Sequence, residues 1–242
     1  MFTAENLEMK LIEIINRHRD QYLILLAISF SLLALTSILT KRDAQVFSKL
    51  LGNIHPVLAI LIIVILGFAA FSLIMNTTNL VIFKHGRRGL LIFSVIAAFF
   101  LAAAIILFVD IRGGYSKDIN VLFPDGLFYY PVMGYIADIL FHIVPFSILI
   151  LLARFIFGVD LTHSIPIWML VIISLLEPLF QALIIRSASW VQIYQFIHIF
   201  IINMIQLLLF RKQDFSAMYI FRMFYYLFWH IVWGFFRLDI LF

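Results

Sequence analysis

The chain contains no cysteine, and only 12% of its residues are charged. The lack of cysteine excludes disulfide bonds and thiol chemistry, and it leaves the compartment open because a cysteine-free chain fits either side of a membrane. The low charge, 64% hydrophobic residues and a mean hydropathy of +1.10 exclude an ordinary soluble domain. Several apolar runs are each long enough to cross a bilayer, at roughly 20 residues apiece. The sequence therefore predicts an all-α integral membrane protein.

The positive charges lie in short loops beside the apolar runs. The net charge of +4 and the pI near 9.4 would suggest nucleic acid for a soluble protein. In a membrane protein, topology and anionic head groups explain such charges. We therefore expect the lipid bilayer as partner and no nucleic acid. The count of Lys and Arg on the two sides favours a multi-pass protein of the cell membrane with a cytoplasmic N-terminus.

The order of the runs predicts a single membrane domain over residues 1–242, a bundle of about seven transmembrane helices. An amphipathic pattern at 4–19 predicts an interfacial helix before the first span. Residues 22–109 are expected to form three scaffold helices, the second of which reaches Met75 or extends to Phe83. Residues 110–130 are rich in turn formers and predict the longest loop. Its aromatic tail, 127–131, is expected to lie at the interface or to fold back as a partial lid. Residues 131–242 predict a polar-lined core of four helices.

Glu177 stands in the middle of the predicted fifth span, 166–185, beside Pro178. A carboxylate at that depth costs several kcal/mol, on the order of 3, unless it faces inward and is paired. Proline removes a backbone donor, and membrane helices keep such a break where a neighbour satisfies the freed carbonyl. We therefore expect Glu177 to face the bundle interior and the helix to bend at Pro178.

Other ionisable and polar side chains lie on the neighbouring spans. Asp138 and His142 are one turn apart on the fourth span; the remaining candidates are Gln181, Tyr194, His198, Arg222, Tyr226 and His230. Counting residues from the helix ends at about 1.5 Å each places His142, Glu177, His198 and His230 in one slab of the membrane. Short connections make the fifth, sixth and seventh helices antiparallel neighbours. Glu177, His198 and His230 are therefore predicted to line one water-accessible cavity.

Each of these features also has a structural interpretation. The histidines can bond tyrosines one turn away, and Asp138 and His142 can form a clasp within their own helix. Arg222 lies a few residues into its span, so that its side chain either supports the site or extends to the membrane surface.

The residues at the three core positions resemble the motifs of one enzyme family. Leu176–Gln181 resembles a Glu-Glu-x-x-x-Arg motif with leucine first and glutamine last, Tyr194–His198 resembles Phe-x-x-x-His, and His230–Gly234 resembles His-x-x-x-Asn. In this order they are similar, distantly, to the CAAX-processing and bacteriocin-processing (Abi) intramembrane endopeptidases. The resemblance implies a hydrolase acting on a membrane peptide or lipidated peptide. Glu177 is then the general base, His198 holds the water and His230 stabilises the oxyanion.

Two other classes remain open. A proton-linked carrier would use Asp138, His142, Glu177 and the histidines as a relay, although no internal repeat supports it. A catalytically inactive scaffold would bind a membrane partner. No cofactor is expected; a zinc ion on Glu177, His198 and His230 is a less favoured variant, since no His-Glu-x-x-His spacing is present.

Overall fold

The computed structural model describes residues 16–43, 45–47, 51–84, 86, 88–162, 164–184 and 189–242. The predicted interfacial helix at 4–19 lies almost wholly outside the described residues. Ten α-helices occur in the described part of the chain: α1 Arg19–Arg42, α2 Pro56–Thr77, α3 Arg88–Phe108, α4 Gly126–Ala137, α5 Val144–Phe157, α6 Ile167–Ser174, α7 Leu176–Ile184, α8 Ser189–Lys212, α9 Phe215–Tyr226 and α10 Gly234–Leu241. The all-α bundle predicted from composition is confirmed.

Six helical stretches in these ranges are long and apolar enough to cross a membrane. The stretch that begins with α9 was predicted as a seventh span, and it is helical but is not among the six. Its polar side chains, Arg222, Tyr225, Tyr226 and His230 among them, lower its hydropathy. Large apolar side chains cover the outside of the bundle, for example Phe30, Phe155 and Leu183, which are 77–85% exposed. Such a surface fits contact with acyl chains, so the chain is a multi-pass membrane protein.

Two helix connections are π-helical. Asp138–Ile143 joins α4 to α5, and Leu227–Trp233 joins α9 to α10. A π turn inserts a residue into the helix and changes the direction in which the following side chains point. Single π turns of this kind occur frequently at functional sites. Both segments carry residues that the sequence singles out.

Two helix boundaries decide between or correct the expected ones. The second span ends at Thr77, close to the expected Met75, and the alternative extension to Phe83 is excluded; the amides of Ile82 and Phe83 donate to the Gln21 side chain instead. The fourth span was expected to begin at Pro131 but begins at Gly126, inside the predicted loop: the backbone carbonyl of Asp125 accepts from the amides of Phe128 and Tyr129, and Pro131 lies within the helix.

The helices pack in two groups. One apolar core joins α1 and α2 to α4, α5 and α6, and a second joins α3 to α8, α9 and the π turn after α9. Helix α8 contacts both α7 and α9, so the predicted adjacency of the fifth, sixth and seventh helices is confirmed. Helix α3, expected to be lipid-facing scaffold, also packs along α9. The C-terminal helices are thereby enclosed from several sides, and their polar side chains lie in the interior.

Candidate functional site

Arg222 of α9 ties three helical segments together inside the bundle. Its Nε donates to Asp138 Oδ1 at 2.7 Å, and its Nη1 and Nη2 donate to Glu177 Oε1 and Oε2 at 3.1 and 2.9 Å. Arg222 is 2% exposed, Glu177 is 5% exposed and Asp138 is fully buried. Of the two alternatives for Arg222, these contacts exclude the one in which its side chain extends to the membrane surface. The Arg222 side chain is paired with two carboxylates within hydrogen-bond distance in the interior, and this pairing replaces the hydration that the guanidinium would have at the membrane surface.

Glu177 lies inside the bundle because of a break in its helix. Pro178 has no amide hydrogen to donate to the carbonyl of Ser174, one turn earlier, and the helix is interrupted at Leu175 between α6 and α7. Asn203 of α8 donates to this Ser174 carbonyl at 3.2 Å. The carbonyl of Ser174 is thus satisfied by a neighbouring helix, as expected from the sequence, and the bond from Asn203 holds the interrupted helix in place beside Glu177.

Asp138 collects three donors on a single oxygen. In addition to Arg222, Gln206 Nε2 lies 3.0 Å and His142 Nδ1 3.3 Å from Asp138 Oδ1. Within the described residues, Asp138 Oδ2, His142 Nε2 and Gln206 Oε1 are buried without a hydrogen-bond partner. Two carboxylates face one guanidinium here, so with a neutral His142 the cluster carries one excess negative charge. The predicted Asp138–His142 clasp is present, but it belongs to this larger cluster.

A cavity of about 260 Å³ adjoins the cluster. Glu177, His198 and His230 all line it, together with Gln181 and Tyr226. Gln181 Nε2 lies 3.3 Å from Glu177 Oε1, and Tyr226 Oη accepts from Arg222 Nη1 at 3.2 Å. The predicted trio therefore borders one cavity, although it is Arg222 that holds Glu177. Ile105 of α3 and Ile119 of the loop after α3 complete the walls.

The two histidines have different partners. His198 Nε2 lies 3.1 Å from Tyr225 Oη, and the ring stacks on Tyr194 at 5.7 Å between centroids. His230 Nδ1 lies 2.7 Å from Asn120 Oδ1, a residue of the loop. Tyr194 and Tyr226 thus contact the rings of His198 and His230, but the hydrogen bonds expected with these tyrosines are made with Tyr225 and Asn120 instead. Nothing in the sequence points to Asn120, because an asparagine in a loop is interpreted as a turn former.

The loop between α3 and α4 is held over the cavity by a second buried ion pair. Arg237 of α10 donates to both oxygens of Asp110, and to the carbonyls of Tyr115, Ser116 and Lys117 at 2.9–3.1 Å. Tyr115 lines the cavity, and burial raises its pKa to about 12, so that it carries its proton at neutral pH. The loop residues that cover the cavity are Tyr115 and Ile119, whereas the aromatic tail 127–131, expected at the interface or as a partial lid, is part of α4.

A larger cavity of about 680 Å³ lies on the other side of this loop. It shares Ile119, Tyr226 and His230 with the first cavity. Its remaining polar lining includes Asp43, Asp118 and Asn120. His230 and Tyr226 therefore separate an inner cavity from an outer one.

In its described ranges, the chain groups no three His, Asp or Glu side chains in a way that could hold a metal ion. By fold it belongs to the class of α-helical multi-pass membrane proteins, with an ionic cluster inside the C-terminal helices. The chain matches no family model, no curated protein and no solved structure. The resemblance to the CAAX-processing endopeptidases therefore rests on short motifs, and function has to be argued from the geometry.

Proposed function

We propose that the protein is an intramembrane endopeptidase that hydrolyses a peptide bond in a membrane-associated or lipidated peptide. The observation that carries this proposal is the inner cavity, which places the Glu177 carboxylate and the rings of His198 and His230 around one space. A concave apolar site with a few convergent polar groups is the usual form of a ligand site. The π turn that bears His230 adds support, because such turns concentrate at functional sites.

Glu177 is suited to hold a water although Arg222 contacts both of its oxygens. A carboxylate offers about four acceptor directions; Arg222 takes one on each oxygen and Gln181 takes a second on Oε1, so that a direction on Oε2 is left for a water. In the proposed reaction, Glu177 accepts a proton from the water while the water oxygen attacks the peptide carbonyl carbon. The proton then passes to the leaving nitrogen as the C–N bond breaks, which yields one carboxylic acid and one amine.

The cover over the cavity fits a reaction that has to exclude bulk water. At the cavity edge, the Tyr115 hydroxyl of the loop accepts a hydrogen bond from Gln195 Nε2 at 2.9 Å. A fixed protein environment in place of solvent strengthens each electrostatic contact in the site. We further propose, from the positive-charge distribution, that the protein lies in the cell membrane with its N-terminus in the cytoplasm.

The test compares the wild type with Glu177→Gln in proteoliposomes that contain a library of quenched fluorescent peptides, each with an apolar or lipidated C-terminal segment. We expect cleavage by the wild type, identified by mass spectrometry, and a loss of at least about 100-fold in Glu177→Gln, because the amide cannot take the proton. Asp239→Asn, the same chemical change at an exposed position of α10, is the control and should cleave normally. Equal cleavage by Glu177→Gln, or none by the wild type, contradicts the proposal.

A proton-linked carrier is the second candidate, and the charge count favours it. Two carboxylates share one guanidinium, and in the described part of the chain Asp138 Oδ2 and His142 Nε2 have no hydrogen-bond partner. A buried cluster with a carboxylate in excess of its cations, next to a cavity, is suited to bind a proton. In the same proteoliposomes, proton flux reported by an internal pH dye, blocked by Asp138→Asn and unaccompanied by cleavage, would select this function. A folded protein without either activity would indicate a scaffold.

A further inference from the structure

His230 has its ring orientation fixed by the loop that covers the cavity. Its Nδ1 lies 2.7 Å from Asn120 Oδ1. A carbonyl oxygen of an amide only accepts, so Nδ1 carries the hydrogen, and in the neutral ring Nε2 then carries a lone pair. The contact thus sets which nitrogen of His230 can take a proton.

The ring is held from two further directions. Tyr130 of α4 stacks on it at 4.6 Å with 14° between the planes, and Tyr226 meets it edge-on at 5.2 Å. The Tyr130 hydroxyl also accepts from the amide of Val121 at 2.8 Å. One tyrosine therefore holds both the histidine and the loop residue next to Asn120, so that their relative position is set by the same side chain.

Gly234 provides the space that Asn120 occupies. A Cβ atom at position 234 would lie 2.9 Å from Asn120 Nδ2 and 3.3 Å from its Cβ and Cγ. Such contacts are tighter than van der Waals packing allows, so that any side chain at 234 displaces Asn120. Asn120 of the loop thus occupies the volume next to His230. A side chain at position 234 of the helix would occupy the same volume if residue 234 were not glycine.

We propose that Asn120 is a positioning residue that keeps His230 in the Nδ1–H form and presents Nε2 to the cavity as a hydrogen-bond acceptor. His230 Nε2 then accepts a hydrogen bond from the water or from a substrate N–H, while Glu177 takes the proton, and His230 does not act as the oxyanion donor. The use of Nε2 in a reaction rests on the proposed function. The tautomer does not, and it can be measured without any activity.

The first test is ¹⁵N NMR of the ring nitrogens in histidine-labelled protein, with the His230 signal assigned by its loss in His230→Gln. We expect the Nδ1–H tautomer in the wild type and a mixture of tautomers in Asn120→Ala. Asn76→Ala, which removes an exposed asparagine bonded only within its own helix, is the control and should leave the signal unchanged. An Nε2–H tautomer in the wild type overturns the proposal.

The second test moves the amide from the loop to the helix. Gly234→Ala should disturb the His230 signal as Asn120→Ala does, because its Cβ displaces Asn120. The double variant Asn120→Ala with Gly234→Asn places an amide in the vacated volume and should restore the wild-type tautomer. If the His230 signal is unchanged in both Asn120→Ala and Gly234→Ala while the protein folds normally, the proposal is contradicted.

Activity provides an independent readout where cleavage is found. Asn120→Ala should lower kcat by roughly tenfold or more with little change in KM, by analogy with other groups that orient a functional histidine. The double variant should recover most of that loss. If the wild type cleaves no peptide while the tautomer shifts as expected, the proposed function fails and the role of Asn120 stands.

Discussion

Arg222 and Arg237 lie on the same C-terminal stretch of helix and are both buried, but their surroundings differ. Arg237 meets one carboxylate, that of Asp110, and gives its remaining donors to three loop carbonyls. Both oxygens of Asp110 are used, since Trp233 Nε1 also donates to it. Arg222 meets two carboxylates, beside a cavity and beside buried atoms that have no partner.

These different surroundings indicate two different roles for the two buried arginines. The Arg237 cluster is balanced in charge and complete in hydrogen bonds, which is what a structural anchor needs. The Arg222 cluster has two carboxylates for one guanidinium and, among the described residues, buried polar atoms without a partner. Such atoms cost free energy that folding alone does not require. Features of this kind persist where function uses them. The comparison therefore assigns the loop anchor to Arg237 and the functional cluster to Arg222.

Arg222→Met should give the largest loss of stability. It leaves Asp138 and Glu177 buried without their cation, and breaking a buried ion pair costs about 3–5 kcal/mol even for a single partner. Thermal unfolding of the detergent-solubilised protein measures the effect, with Arg42→Met as the control because Arg42 pairs with Asp125 at the surface. An unchanged melting temperature in Arg222→Met would contradict the assignment of this ion pair.

Asp110→Asn should have the next largest effect. It leaves Arg237 as an unmatched buried cation, so that we expect a loss of about 3 kcal/mol and a loosened loop. Limited proteolysis of the segment after Gly113 should become faster than in the wild type. If the variant is as stable and as resistant as the wild type, Arg237 is not the anchor of the loop.

Asp138→Asn should have the smallest effect, although the chemical change is the same as in Asp110→Asn. It leaves one carboxylate, Glu177, facing one guanidinium, and the amide oxygen can still accept from Arg222. We expect a change within about 1 kcal/mol, the scale of a single hydrogen bond. A loss as large as that of Asp110→Asn would remove the distinction between the two clusters.

The sequence predicts one part of the site well. Span position and proline chemistry place Glu177, His198 and His230 at similar depth and require a partner for the carbonyl freed by Pro178. Both inferences depend on regular helix geometry, which holds over one or two turns. The shared cavity and the bond from Asn203 to Ser174 agree with them.

The sequence does not predict the contacts that span helices. For Arg222 the sequence leaves two alternatives, support of the site or extension to the surface, because its partners Asp138 and Glu177 are 84 and 45 residues away. Asn120 looks like a turn residue for the same reason, since its partner lies 110 residues later. The π turns add to the difficulty, because a regular helical count gives the wrong direction for side chains that follow them.

The link from Asn203 to the carbonyl of Ser174 also has a consequence for how the sequence can vary. The acceptor is a backbone atom, so it exists whatever residue occupies position 174, and it is free because residue 178 is proline. Substitution at 174 is therefore permitted as far as this tie is concerned. Positions 178 and 203 are constrained as a pair. If residue 178 is proline and residue 203 has no side-chain amide, the buried carbonyl of residue 174 is left unpaired. If residue 178 is not proline, its backbone amide donates to that carbonyl and the side chain of Asn203 loses its acceptor. In related chains these two positions should change together or not at all.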